Sequence, residues 1–397
     1  MTQFAQTSAV SPLARYRLLS PKAAVRVSPI CLGSLNFGTA WSGNMGASCL
    51  DREKSFEILD AWFAAGGNYI DTANGYQSGE SEQCLGEWIQ ERGIRDQLVL
   101  STKFGMQFHP DAAKSPIRVN FAGDHKKSMR LSLKSSLKRL GTDYVDILYV
   151  HFWDYTTSIE ELMQSLGELV RGGKVLYLGV SDTPAWIVAK ANSYARHHGL
   201  PEFVIYQGLW SLICRDFERE IIPMCKAEGM AIAPYGVLGQ GKFKTKAEIE
   251  RRAASNEPMR SFWNSTAQSP EQERISAVLE QVAEEVGARS LGSVAVAYHL
   301  QKHPYVFPHI GARTVEQLQD SIAAASLVLT PAHIKALEGV VEFKRGFPYD
   351  QFGTNPHEAN IVDSWMLKQS GHEYDFVQSS KPIQAPTEKT AVQMAGK

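Results

Sequence analysis

Residues 66–86 read GGNYIDTANGYQSGESEQCLG. A short apolar run, Asn68 to Ile70, passes straight into Asp71, and Tyr76 follows in a polar turn. A carboxylate where a buried strand ends is costly to desolvate unless something cationic meets it. Upstream, DREKSFEILDAWFAAG (51–66) sets Phe56, Leu59 and Phe63 along one helical stripe and stops at glycine. The unit is a helix, then a strand, then polar groups at the strand's end.

The same unit recurs along the chain. Strand candidates are PICLG (29–33), NYID (68–71), LVLSTK (98–103), VDILYVH (145–151), VLYLGVS (175–181), FVIYQ (203–207), MAIAPYG (230–236) and VFPHIG (306–311). Amphipathic stretches such as SIEELMQSLGELVRGG (158–173) lie between them. The strands are nearly all apolar rather than alternating, which suits a parallel sheet covered on both faces. Eight such units predict an α/β fold, a (β/α)8 TIM barrel. The alternative, a doubly wound open sheet, would show GxGxxG after its first strand, and CLGSLNFG (31–38) does not supply it.

Around this core, residues 1–15 read as an N-terminal tail and 16–373 as a single domain. Within that domain YRLLSPKAAVRV (16–27) predicts a hairpin, 241–271 a polar insertion after the seventh strand, and 342–373 a C-terminal loop. The polar, proline-containing segment 374–397 is expected to be a mobile tail.

Composition bounds the function classes. The chain has 397 residues, 44% hydrophobic and 21% charged, with a net charge of -1. Near neutrality argues against a mainly electrostatic partner such as nucleic acid or an anionic membrane. The five cysteines show no CxxC and no paired spacing, which suggests reduced thiols. No run reaches the ~20 apolar residues of a membrane span, and residues 1–20 lack a signal-peptide core. A cytoplasmic protein is expected.

In a barrel, active sites gather where strands end. Asp71 ends the second strand with Tyr76 in its loop, Lys103 ends the third, and His151 the fourth. Ser181 and Asp182 end the fifth, Gln207 the sixth, and Tyr235 the seventh. Lys103, one strand over, is the expected cation for Asp71. A lysine beside a tyrosine hydroxyl favours the phenolate, so Tyr76 is expected to have a lowered pKa and to donate a proton near neutrality. His151 would orient a substrate oxygen.

IDTANGY (70–76), STKFG (101–105), LYVHFWD (148–154), LGVSD (178–182) and GARTVEQLQDS (311–321) together resemble the aldo-keto reductases, in order and over essentially the whole chain. APYGVLGQGKF (233–243) and FKRGFPYDQFG (343–353) make the chain most similar to the fungal aryl-alcohol dehydrogenase and norsolorinic acid reductase group. The resemblance implies an oxidoreductase that uses NADPH and no metal on a (β/α)8 barrel. It implies Tyr76 as general acid, Lys103 and Asp71 as its tuning pair, and His151 as the substrate-orienting residue. Hydride would pass between the nicotinamide and the carbon of an aromatic aldehyde or ketone, or of the alcohol in reverse.

For the cofactor, the resemblance implies Ser181, Asp182 and Gln207 at the nicotinamide amide, with Tyr235 stacked under the ring. Gly33, Ser34 and Leu35 would lie beside the ribose. Arg313 would pair with the 2′-phosphate, and Gln317, Asp320 and Ser321 would contact the adenosine end. Many members carry Asn where Asp182 and Ser321 stand here. Secondary, polyketide metabolism is a further implication.

Trp41, Phe108, Phe152, Trp153, Trp210 and Phe347 fall in loops on the strand-end side, where aromatic walls suit a flat substrate. Trp41 and Trp153 are the expected wall residues. Of the insertion's cations, Lys242, Lys244, Lys246, Arg251, Arg252 and Arg260, Lys242 is the best placed to hold the cofactor's pyrophosphate, since it follows GQG directly. A small-molecule carbonyl or alcohol substrate is the expected partner. The competing reading is a cofactor-binding, redox-sensing regulatory subunit with little turnover.

Overall fold

The computed structural model describes residues 8–45, 48–108, 115–254, 268–359 and 362–386. The chain opens with an antiparallel hairpin, β1 (Arg17–Ser20) and β2 (Ala23–Val27). Eight parallel strands follow: β3 (Cys31–Gly33), β4 (Tyr69–Asp71), β5 (Val99–Phe104), β6 (Val145–Val150), β7 (Val175–Ser181), β8 (Phe203–Leu209), β9 (Ala231–Tyr235) and β10 (His309–Ile310). They pair in sequence order from β3 to β9, with β10 beside β3. The segment just before β10 closes the ring, since Ile232 N–H donates to Tyr305 O (2.9 Å) and Phe307 N–H to Ile232 O (2.8 Å). The fold is the expected barrel, and its closure excludes the open doubly wound sheet.

Helices begin and end where side chains permit it. Asp51, Ser158 and Ser269 cap the helices Arg52–Ala64, Ile159–Arg171 and Pro270–Val286, satisfying amide N–H groups that have no partner within the helix. In the first of these, Phe56 and Leu59 are buried as expected. Ile58 and Trp62 join them, while Phe63 is half-buried with its ring edge-on to Trp88.

Alternation along the strands divides the core in two. Leu32, Ile70, Leu100, Leu148, Leu178 and Ile232 pack outward against the helices. Cys31, Tyr69, Ile147, Tyr149, Ile205, Ala233 and Phe307 form a separate cluster inside the barrel. Leu19, Ala23 and Val27 of the hairpin belong to that inner cluster, so the hairpin plugs the N-terminal end. Above it the Tyr69 and Tyr149 hydroxyls meet at 3.1 Å. Gly179 is required there, because a Cβ would sit 2.4 Å from the Tyr149 ring. The barrel thus has a sealed floor, and its other end is free to be polar.

The C-terminal loop, with short helices Tyr349–Phe352, Pro356–Ala359 and Trp365–Lys368, lies against the segment after β8. Arg219 donates to the carbonyls of Lys344 and Arg345, and Lys226 pairs with Glu358 at 2.7 Å. In the described part of 374–397, Val377 O meets His357 Nδ1 (2.9 Å) and Ser379 N–H donates to His357 O (2.8 Å). Among the described residues, no helix is long and apolar enough to cross a membrane.

Candidate active site

Strand register explains how Asp71 and Lys103 meet. Asp71 at the end of β4 pairs with Ser101 of β5, and Lys103 stands two residues further on. Two residues return a side chain to the same face, so both point inward and the long lysine stem reaches back. The Lys103 ammonium bonds the Asp71 carboxylate and donates to Thr72 O (2.7 Å). Ser101 donates to the other carboxylate oxygen at 2.6 Å. His309 Nδ1 of β10 lies 3.5 Å from Asp71 on the far side. Both members of the pair are buried.

Tyr76 lies over this pair. Lys103 Nζ is 4.7 Å from the centre of its ring, and the His151 ring approaches edge-on at 5.7 Å. His151 extends the β5–β6 pairing by one residue, its N–H donating to Phe104 O (2.9 Å). The four residues expected to converge at the strand ends do so.

Their charge states follow from burial and neighbours. Burial works against the Asp71 carboxylate, but Lys103 and then His309 outweigh it and hold the group below the ordinary carboxylate range. Burial likewise opposes the Lys103 ammonium, and Asp71 raises it overall. Burial, with Lys103 adding to it, drives His151 well below its ordinary value, so the ring is neutral. Its Nδ1 is buried without a partner. Tyr76 departs from expectation. Lys103 does pull its pKa down, but burial is the larger effect and Asp71 pushes the same way, so the hydroxyl lies above its ordinary value.

A second group surrounds the ends of β7, β8 and β9. Ser181 and Gln207 are register partners, both buried. Asp182 follows with φ at 41°. Its carboxylate accepts from Tyr235 Oη (3.2 Å) and Ser181 Oγ (3.4 Å). Burial still pushes Asp182 up to about 6. Gln207 Nε2 is buried and has no protein partner, which fits an amide carbonyl arriving from a ligand. Gly33, Ser34 and Leu35 stand beside β4, yet the Ser34 hydroxyl is turned inward to Asp71 O (3.0 Å) and Ser81 Oγ (2.7 Å).

A third group lies around the helix Val315–Ala323, whose cap Thr314 accepts from Gln317 N–H (3.2 Å). Gln317 Oε1 accepts from Arg313 N–H (3.0 Å), and Ser321 Oγ donates to Gln317 O (3.1 Å). Burial and then Glu316 raise the Asp320 carboxyl, with Arg289 and Lys244 acting against them. Lys244 therefore brings the insertion to this group, and Arg289 joins it although no sequence feature marked it. Lys242 is buried, which lowers its pKa. Lys244 pairs with Glu248 at 2.8 Å and Arg252 approaches the same carboxylate at 3.4 Å. Arg260 lies outside the described residues.

The aromatic loop residues divide. Trp41 is half-buried and its Nε1 donates to Ser78 Oγ (3.3 Å), two residues from Tyr76. Trp153 is half-buried two residues beyond His151, and Phe152 stacks on the His151 ring at 4.4 Å. Trp210 is fully buried, parallel to Phe217 at 6.0 Å, with Nε1 donating to Glu218 (3.1 Å); it packs the fold and is no pocket wall. Phe108 is buried against Phe121, and Phe347 is 86% exposed. All five cysteines are unpaired.

The chain is similar to known proteins over nearly all of its length. The chain is 48% identical over 384 residues to norsolorinic acid reductase B of Dothistroma septosporum, covering 95% of this chain and 96% of that one. It is 48% identical over 367 residues to the aryl-alcohol dehydrogenase [NADP(+)] of Phanerodontia chrysosporium (91% and 94%). It is 45% identical over 386 residues to the aldo-keto reductase ausK of Emericella nidulans (97% and 96%). The Aldo/keto reductase family model matches residues 29–342, and the chain is an oxidoreductase belonging to that family.

Proposed function

We propose that this chain is an NADPH-dependent reductase of aromatic aldehydes or ketones, also able to run as an alcohol dehydrogenase, working in secondary metabolism. The observation that carries the reading is the Tyr76 ring held between Lys103 Nζ and a neutral His151 at the open end of a sealed barrel. Similarity to a norsolorinic acid reductase and an NADP-dependent aryl-alcohol dehydrogenase supports the substrate and cofactor class.

NADPH, when bound, supplies a hydride to the carbonyl carbon. Gln207 Nε2 would meet its carboxamide, with Ser181 and Asp182 beside it and Tyr235 flanking the ring. The Ser34 hydroxyl, N–H and carbonyl are all engaged within the protein, so Gly33, Ser34 and Leu35 would lie beside the ribose and shape its site rather than bind it through Ser34. Arg313, at the start of the helix Val315–Ala323, would pair with the 2′-phosphate, a charge NADH lacks. Gln317, Asp320 and Ser321 would hold the adenosine end, and Lys242 the pyrophosphate.

As negative charge grows on the carbonyl oxygen, Tyr76 gives up its proton to it. Lys103 stabilises the phenolate left behind. Asp71 keeps Lys103 charged and aimed. His151, neutral, can orient the carbonyl oxygen by a hydrogen bond without competing as the acid. Trp41 and Trp153 would wall a flat substrate, with Phe152 between His151 and solvent. In the oxidative direction the Tyr76 phenolate accepts the alcohol proton.

The test is to titrate the purified protein with NADPH and with NADH, add an aromatic aldehyde, and follow the absorbance of the reduced nicotinamide. Tyr76→Phe should bind NADPH as the parent does and lose about 10²–10⁴ in turnover. Parental turnover in that variant would sink the assignment of Tyr76.

A further inference from the structure

Gln77, directly after Tyr76, adopts φ 49° and ψ 38°, and Ser78 follows at φ 56°. Consecutive left-handed residues are where a chain ordinarily places glycine, which has no Cβ to strain. A bulky polar residue held there against its backbone preference asks for a compensating role.

The side chain supplies one. It is completely buried, and its amide is engaged at both ends. Oε1 accepts from Trp41 N–H at 2.8 Å, and Nε2 donates to Leu35 O at 3.0 Å. Met45 Sδ and Cys49 Sγ each lie 3.5 Å from Nε2. All four partners, Leu35, Trp41, Met45 and Cys49, follow β3 in the chain. The residues beyond Gln77 repeat the connection: Ser78 Oγ accepts from Trp41 Nε1, and Glu80 Oε2 accepts from the N–H groups of Thr39 (2.7 Å) and Ala40 (3.0 Å).

Resting on the reading of Tyr76 as proton donor and Trp41 as pocket wall, we propose that Gln77 is a specificity-determining positioning residue whose buried amide couples the Trp41 loop to the backbone of Tyr76. The width of the substrate site and the place of the donor are then set together. The loop cannot swing away without stranding a buried amide, so broad substrates meet a fixed wall.

The test uses Gln77→Gly, which suits the left-handed backbone and deletes both ties, and Gln77→Met, which keeps the volume and deletes the ties. Each is assayed at saturating NADPH with benzaldehyde and with the broader 2-naphthaldehyde, and each is also placed in a Trp41→Ala background. Hydrogen exchange at the Trp41 amide gives a readout that needs no turnover.

Both variants should melt as cooperatively as the parent and exchange the Trp41 amide at least about tenfold faster. They should also raise KM for the naphthaldehyde about tenfold against about threefold or less for benzaldehyde. In the Trp41→Ala background Gln77→Gly should add nothing further, because the wall is already gone. Parental exchange at Trp41, an equal change for both aldehydes, or additive effects in the double variant would each overturn the coupling. Faster exchange in a protein whose Tyr76→Phe variant keeps its turnover would instead locate the failure in the assignment of Tyr76.

Discussion

Replacing Asp71 with Asn tests the centre of the proposed site. The substitution keeps shape and removes one charge of a pair that burial has withdrawn from water. Lys103 would then stand fully buried with Ser101, Thr72 O and a carboxamide around it, and no anion in contact. Breaking a buried pair by removing one partner costs about 3–5 kcal/mol, because the other charge is left uncompensated. Unfolding entropy near 60 °C is about 2.1 cal/mol/K per residue, so over 397 residues the melting temperature should fall by about 4–6 °C.

The pH dependence sharpens the test. In the parent, the lowered Asp71 pKa contributes stability that is present above the unfolded value of about 3.9 and lost as pH falls. The raised Lys103 pKa contributes stability that is present below about 10.4 and lost as pH rises past it. Between about pH 6 and 9 both contributions are constant. Without Asp71, burial reverses the sign for Lys103: the unfolded chain now binds the proton better, and stability should rise with pH over the same range. Adding Lys103→Met should recover stability, since no buried charge remains. Urea unfolding of the two single variants and the double variant at pH 6 and pH 9 measures all of this. The account fails if Asp71→Asn is as stable as the parent at pH 6, or if the double variant is less stable than Asp71→Asn.

Asp124, buried, its N–H donating to the Asp154 carboxylate (2.7 Å) and its carboxylate accepting from Asp154 N–H (3.0 Å), should show the opposite slope. Burial, then Asp154, push it up to about 7, so stability should fall by up to about 4 kcal/mol between pH 4 and 7, and Asp124→Asn should flatten that slope; an unchanged slope by urea unfolding refutes it. Asp182, raised to about 6, should lose affinity for NADPH as pH climbs past that value, because a carboxylate there repels the carboxamide oxygen. Asp182→Asn should bind NADPH more tightly than the parent at pH 8 in a fluorescence titration, and tighter parental binding at pH 8 would contradict this. Because the Tyr76 hydroxyl is raised, aldehyde reduction should stay level up to about pH 9 while alcohol oxidation climbs across that range; oxidation that levels off below pH 8 would mean the phenolate forms too easily.

Most of the barrel was legible because each strand is short, apolar and followed by a polar residue, and eight such repeats admit few topologies. Asp71, Tyr76, Lys103 and His151 were legible for the same reason: strand ends in sequence order become neighbours in space. Their supports were harder to see. Ser101 and His309 look like ordinary strand residues until pairing shows that both share the inner face with Asp71. Trp210 reads as a loop aromatic on the strand-end side, yet Glu218 and Phe217 draw it into the core. The turn at Gln77 could not be read at all, since no local pattern announces a left-handed glutamine.

The Tyr76 hydroxyl shows why a contact pair is not a sufficient unit of electrostatic reasoning. Taken alone, an ammonium near a phenol favours the phenolate. In the folded chain that ammonium is neutralised by Asp71, so Tyr76 faces something closer to a dipole than a charge, and the cost of burying a phenolate dominates. On the proposed reading this suits a proton donor. A donor must still hold its proton when substrate arrives, and release it only to an oxygen whose proton affinity has risen during reaction. Burial secures the first condition, and Lys103, already fixed by Asp71, meets the second by stabilising the phenolate only once it forms.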